Sequence, residues 1–165
     1  MGVGGNGGVR EGTGMKSTQG DAHAAGPPLI VGGLGAKRTP ALAARYAAEF
    51  NVPFADVENA RIQFQRVRSA CEQIQRAPGS LVYSHAITVC CAASEEELRR
   101  RAERIGRDPE ELRRNGAAGS PAEVLERLAA FAGAGAQRAY LQLIDLDDVD
   151  HLELIAAEVM PRLTG

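Results

Sequence analysis

From residue 27 onward the chain switches repeatedly between short apolar runs and a three-and-four hydrophobic spacing. Leu29-Ile30-Val31 is a short, largely β-branched run, predicted as a buried strand of parallel type. Pro40 to Ala48 reads as an Ala-rich helix with Leu42 and Tyr46 four apart. Glu49 to Val52 is a second strand, ended by Pro53. Asp56 is the N-cap expected for a helix whose apolar stripe is Val57, Ala60, Phe64, Val67, Cys71 and Ile74. Ala77-Pro78-Gly79-Ser80 breaks it. Leu81 to Cys91 is the strongest strand, aromatic and β-branched with no helical period. Ser94 with Glu97 predicts a capping box, opening a helix through Leu98, Ala102 and Ile105 that Gly106 closes. Asp108-Pro109 starts a short helix ending at Asn115-Gly116. Ser120-Pro121 with Glu123 opens another, carrying Val124, Leu125, Leu128 and Phe131. Ala139 to Ile144 is the last strand, and Val149, Leu152, Ile155, Ala156 and Val159 mark the last helix, which runs to Pro161. The pattern is strand-helix four times, with one extra short helical segment. It predicts parallel strands joined by right-handed crossovers, the α/β class.

Composition adds limits. Residues 1–26 are rich in Gly and small polar residues with almost nothing to bury, so they are predicted to be a disordered leader, with the folded domain over residues 27–165. Met15 is an alternative start. The 165 residues suffice for one domain, and 44% hydrophobic with 24% charged is ordinary for a globular protein. A net charge of −2 gives no basis for a nucleic-acid or anionic-membrane partner. No apolar run approaches the length of a membrane span, and no signal-peptide core opens the chain. Cys71, Cys90 and Cys91 have no zinc spacing and read as reduced thiols, which points to the cytoplasm.

The richest chemistry lies between Pro27 and Pro40, PPLIVGGLGAKRTP. A strand runs through Gly32, Gly33 and Gly35 into a helix start expected at Thr39 as N-cap and Pro40 as first helical residue. Such a turn gathers backbone N–H groups at one point and favours an anion, phosphate above all. Lys37 and Arg38 add positive charge. It is neither of two well-known phosphate loops. Ala36 and Arg38 break the glycine-lysine-hydroxyl ending of a P-loop, and Arg38 stands where the dinucleotide fingerprint needs its third glycine. The competing reading is a plain βα turn with solvated Lys and Arg.

The other candidates resolve to structural roles. The turn Asp145-Leu146-Asp147-Asp148-Val149-Asp150 fails the EF-hand pattern, having Asp150 at the sixth place and Ala156 at the twelfth, and reads instead as helix capping. His85 and His151 have no partner at metal-ligand spacing, so no metal site is assigned. Arg99-Arg100-Arg101 with Arg104 reads as a charged helix face balanced by Glu95 to Glu97 and Glu103.

PPLIVGGLGAKRTPALAARYAAEFNVPF resembles a segment of the luciferase-like monooxygenases, particularly those that use the deazaflavin coenzyme F420. The likeness continues through RVRSACEQI, TVCCAASEEEL, IGRDPEEL and the stretch from NGAAGSPAEV to the C-terminal helix, in order over residues 27–165. It implies an α/β fold, the C-terminal half of a (β/α)8 TIM barrel with about four βα units. It also implies an oxidoreductase that works by hydride transfer or oxygenation of a small organic substrate, with F420, or FMN as the alternative, at the C-terminal ends of the strands. Gly32, Gly33, Gly35, Lys37, Arg38 and Thr39 would hold the cofactor's phosphate. The family's N-terminal half, which supplies most residues around the ring, has no counterpart here, so no catalytic residue is assigned. The chain is expected to be truncated and not to complete an active site alone. Four βα units leave two open sheet edges and, by expectation, apolar interior side chains exposed. A second copy or a complementary half-barrel is the expected partner; the alternative is a non-catalytic fragment.

Overall fold

In a computed structural model residue 1 and residues 26–163 are described, so the leader expected over residues 1–26 lies, but for its ends, outside the described residues. Five parallel strands form the sheet: β1 Ile30–Gly32, β2 Glu49–Pro53, β3 Val82–Cys91, β4 Ala117–Gly119 and β5 Arg138–Gln142. Six α-helices alternate with them: α1 Arg38–Tyr46, α2 Val57–Gln73, α3 Glu95–Arg104, α4 Pro109–Asn115, α5 Pro121–Gly133 and α6 Val149–Leu154. The chain continues from α6 through a π-helical turn, Ile155–Val159, and a 3-10 turn, Met160–Arg162.

β3 is the spine. Ser84–Ala86 pair with Asn51–Pro53 of β2 on one edge and with Arg138–Tyr140 of β5 on the other. β1 pairs with β2 alone, and β4 joins the last three residues of β3. β4 has no counterpart in the sequence prediction, because Ala-Ala-Gly has no strand propensity of its own. Its register comes from Ala117–Gly119 lying against Val89–Cys91.

Side chains alternate across the strands. One face carries Phe50, Val52, Tyr83, Ile87 and Val89 into a core completed by Phe64 and Val67 of α2 and Val124, Leu128 and Phe131 of α5. Phe64 meets Phe50 and Tyr83 edge to face, at centroid distances of 6.3 and 5.6 Å. A smaller cluster of Cys90, Ala92, Leu98, Ala102, Leu112 and Ala118 seats α3 and α4.

Several expectations change. Leu29 and Ile30 are 53% and 56% exposed, because their strand is the sheet edge rather than an interior strand. α1 buries Pro40, Ala43 and Ala44, and Ala47 just beyond it, while Leu42 and Tyr46 face out; its small residues allow close approach to α2. In the last helix Ile155 and Val159 are buried as expected, but Val149 and Leu152 are exposed and His151 is buried in their place, turned inward by its bond from the Cys91 N–H. Ser94 caps Glu97 N–H, but the Glu97 carboxylate takes the N–H of Ala93 instead of that of Ser94, so only half of the expected box forms. The box at Ser120 and Glu123 is complete.

The face turned away from the helices is open, and it is not the apolar surface expected. Asn51 Nδ2 donates to Ser84 Oγ at 2.9 Å, and Thr88 Oγ1 to Gln142 Oε1 at 3.1 Å. Arg138 pairs with Glu49, which is itself buried. Ile30 and Tyr140 are its exposed apolar members. Polar side chains matched across neighbouring strands pair with one another, Glu49 Oε1 excepted, and keep this face compatible with water.

Candidate functional site

The C-terminal ends of parallel strands all open toward one side, where ligands of such sheets bind. At the end of β1 the chain makes the glycine turn and enters α1. Gly33 sits at φ +139°, a conformation open to glycine and strained for other residues. Its N–H donates to the carbonyl of Asn51 at 3.2 Å, which ties the turn to the end of β2. Gly35 is needed for space: a Cβ there would lie 2.6 Å from Thr39 Oγ1.

α1 begins at Arg38 with Lys37 at the N-cap, so Thr39 is not the cap that the sequence predicted and Pro40 is the third helical residue. No side chain caps this helix start, and no acidic residue lies in its first turn. The other five α-helices described are each capped by a side chain: Asp56, Ser94, Asp108, Ser120 and Asp148. The N–H groups of Arg38 and Thr39 have no partner among the described residues, and neither does that of Gly35. The opposite end of α1 is satisfied. Arg76 Nη1 donates to Ala44 O at 2.9 Å and Nη2 to Ala47 O at 2.8 Å, placing a cation on the negative end of the helix. A helix with its C-terminus occupied and its N-terminus free, flanked by Lys37 and Arg38, is polarised to receive an anion.

The structure thus gathers Gly32, Gly33, Gly35, Lys37, Arg38 and Thr39 in one turn. Gly32, Gly35, Lys37 and Arg38 are exposed, and Gly33 and Thr39 half-buried. Two neighbours were not foreseen. Asn51 follows from the parallel register, which sets it beside Gly32. Gln63 of α2 is 4% exposed, and its Nε2 donates to Leu34 O at 2.9 Å. The signal for Gln63 was present in the sequence, since it falls between Ala60 and Val67 on the apolar stripe, where a polar residue needs a partner.

A second polar cluster closes the end of β3. Arg101, 4% exposed, donates to Cys91 O at 2.8 Å and binds Asp148 at 2.9 Å and Glu97 at 2.8 Å. The Arg101 hydrogen bond holds the Asp148 carboxyl below its usual pKa. His151 Nε2 accepts the Cys91 N–H at 2.8 Å, and burial keeps the imidazole neutral by lowering its pKa. Burial pushes the Cys91 thiol up to about 11, which makes it a poor nucleophile. Arg101 of the arginine run, Asp148 of the acidic turn, His151 and the Cys91 backbone are thus parts of one clamp that fixes α6 to β3, with Asp148 capping α6 as the acidic turn was expected to do. Among the described residues no group of three His, Cys, Asp or Glu side chains gathers at a metal-sized site, and no helix is long and apolar enough to cross a membrane.

No protein-family model and no curated protein sequence matches the chain. Solved structures do. A coenzyme F420-dependent tetrahydromethanopterin reductase from Methanopyrus kandleri superposes with TM-score 0.64 at 15% identity, over 82% of this chain and 50% of its own. The FMN-bound oxygenating constituent of 3,6-diketocamphane monooxygenase from Pseudomonas putida gives TM-score 0.61 at 23% identity, over 82% and 49%. A long-chain alkane monooxygenase gives 0.62 at 18%, over 84% and 41%. The chain therefore has the fold of about half of the TIM barrel found in F420-dependent reductases and luciferase-like monooxygenases, and spans about half the length of the structures it matches.

Proposed function

We propose that this chain is the cofactor-holding, C-terminal half of a luciferase-like oxidoreductase barrel, with the glycine turn at the end of β1 as its phosphate site. The observation that carries this reading is the free N-terminus of α1. It offers unpartnered N–H groups at Gly35, Arg38 and Thr39 beside two basic side chains, in the one described α-helix without a side-chain cap. Such a site fits the phosphate of F420 or of FMN equally well, and both kinds of cofactor occur among the structural neighbours.

Gly35, Arg38 and Thr39 would donate backbone N–H groups to the phosphate oxygens. Lys37 and Arg38 would neutralise its charge, and Gly35 leaves room for its approach. The bound cofactor would supply hydride transfer or oxygen chemistry toward a small organic substrate. The polar residues of the open face, Asn51, Ser84, Thr88 and Gln142, would lie inside the barrel that further strands would close. Those strands would pair with the free edges of β1 and β5, supplied by a complementary half or by a second copy, because full closure alone removes both edges.

Titrating the protein with F420, FMN and riboflavin tests the reading. Saturable binding of F420 or FMN, at least about tenfold tighter than the phosphate-free riboflavin, is expected. Equal affinity for FMN and riboflavin, or no saturable binding of either phosphate-bearing cofactor, would refute it.

A further inference from the structure

We infer that Gln63 is a positioning residue for the phosphate site: from α2, it sets which way the central peptide of the glycine turn faces. The inference rests on the phosphate reading above and adds a residue outside the turn. Across a trans peptide the carbonyl and the following N–H point in opposite directions. The peptide joining Leu34 to Gly35 has its carbonyl held by Gln63 Nε2 at 2.9 Å. The Gly35 N–H must therefore point away from α2, where it meets no partner among the described residues. Of the glycine amides in the turn proper, that of Gly33 is already spent on Asn51 O. The Gly35 amide is the one kept available, and Gln63 keeps it so. Were that peptide to flip, the Leu34 carbonyl would face the anion in its place and repel it.

The side chain also has the chemistry that this task needs. A backbone carbonyl can only accept, so only the amide nitrogen of Gln63 can face it. The other end, Oε1, is buried without a partner. An apolar residue at this place in the α2 stripe would fill the space without leaving an unmet acceptor. Glutamine provides one oriented donor to one carbonyl of the turn.

Gln63→Met keeps the length and bulk of the side chain and removes the donor. The assay is fluorescence titration of FMN and of riboflavin against the wild-type protein and Gln63→Met. The inference expects FMN binding to fall by about tenfold, the scale of one well-placed hydrogen bond to a charged group, with riboflavin unchanged within about twofold. A residue that merely filled space would lower both together or neither. If the wild type prefers FMN and Gln63→Met keeps the same ratio, Gln63 is not a positioning residue while the phosphate site stands. If the wild type shows no preference, both readings fall. Should Gln63→Met fail to fold, the wild type alone decides: FMN must shift the Gly35 amide resonance in a nitrogen-proton spectrum, and an unmoved resonance at saturating FMN overturns the inference.

Discussion

Gly35→Ala isolates the geometry of the turn, because the added atom meets one obstacle. The new Cβ would lie 2.6 Å from Thr39 Oγ1, with Thr39 Cβ next at 3.5 Å and Thr39 N at 3.9 Å. The first distance is an overlap, and the other two are ordinary contacts. The hydroxyl can turn to another rotamer, so the cost falls at the low end of overpacking penalties, about 1–2 kcal/mol. In a Thr39→Ala background the hydroxyl is gone and the nearest remaining atom is at 3.5 Å. There the same change should be neutral, or stabilising by about 0.5 kcal/mol through the less flexible unfolded chain. Equilibrium urea unfolding of the wild type, both single variants and the double variant yields the coupling energy. A coupling of at least about 1 kcal/mol is expected, against about 0.5 kcal/mol for sites that act independently. Additive single effects would refute the close approach of Thr39 to the glycine turn. The FMN-to-riboflavin affinity ratio of the double variant then reports on the amides alone, since the space is restored and the hydroxyl removed.

Arg101→Ala should destabilise the protein by about 3 kcal/mol, because Asp148, Glu97 and the Cys91 carbonyl lose a buried partner together; a loss below about 1 kcal/mol in urea unfolding would mean that water replaces the guanidinium. Arg76→Ala, which uncovers the last carbonyls of α1, should cost about 1–2 kcal/mol in the same assay. Stability should also fall with acid through His85, stacked on Phe131 at 4.0 Å between ring centroids. Burial lowers its pKa from 6.5 to about 4, so between those values the unfolded chain binds the extra proton and unfolding is favoured as pH drops. The full effect is about 3 kcal/mol. His85→Phe should flatten the stability profile over that window, with His151 leaving a residual slope of the same sign; an unchanged profile would place the acid sensitivity elsewhere.

The sequence showed the alternation of strands and helices because four of the strands carry their own apolar or β-branched signal and most helices their own caps. β4 was invisible because its three small residues have no such signal and become a strand only beside Val89–Cys91. The four-residue spacing of Leu42 and Tyr46 did not show which face of α1 is buried, since Ala43, Ala44 and Ala47 pack more closely than those larger side chains would. At the candidate site the glycines and basic residues were legible as a local string. Asn51 and Arg76 were not, since each reaches the turn or its helix from another element; Gln63 showed as a polar residue on the apolar stripe of α2, but its partner, the Leu34 carbonyl, did not. The clamp of Arg101, Asp148 and His151 joins residues that looked like separate surface features, and only the register of β3 against α3 and α6 brings them into contact.

The edge position of β1 bears on how this site would respond to a ligand. Three residues paired to one neighbour, with Leu29 and Ile30 half exposed, form a segment that opens at far less cost than the core of β2 and β3. The amides of residues 29–39 are therefore expected to exchange with solvent early, through local opening rather than global unfolding. An anion seated at the start of α1, as proposed, would stabilise only the closed form, so its affinity would include the work of holding this edge shut. Affinity and amide protection across the segment would then rise together, and any change that anchors β1 more firmly, a neighbouring strand included, would tighten binding without touching the ligand.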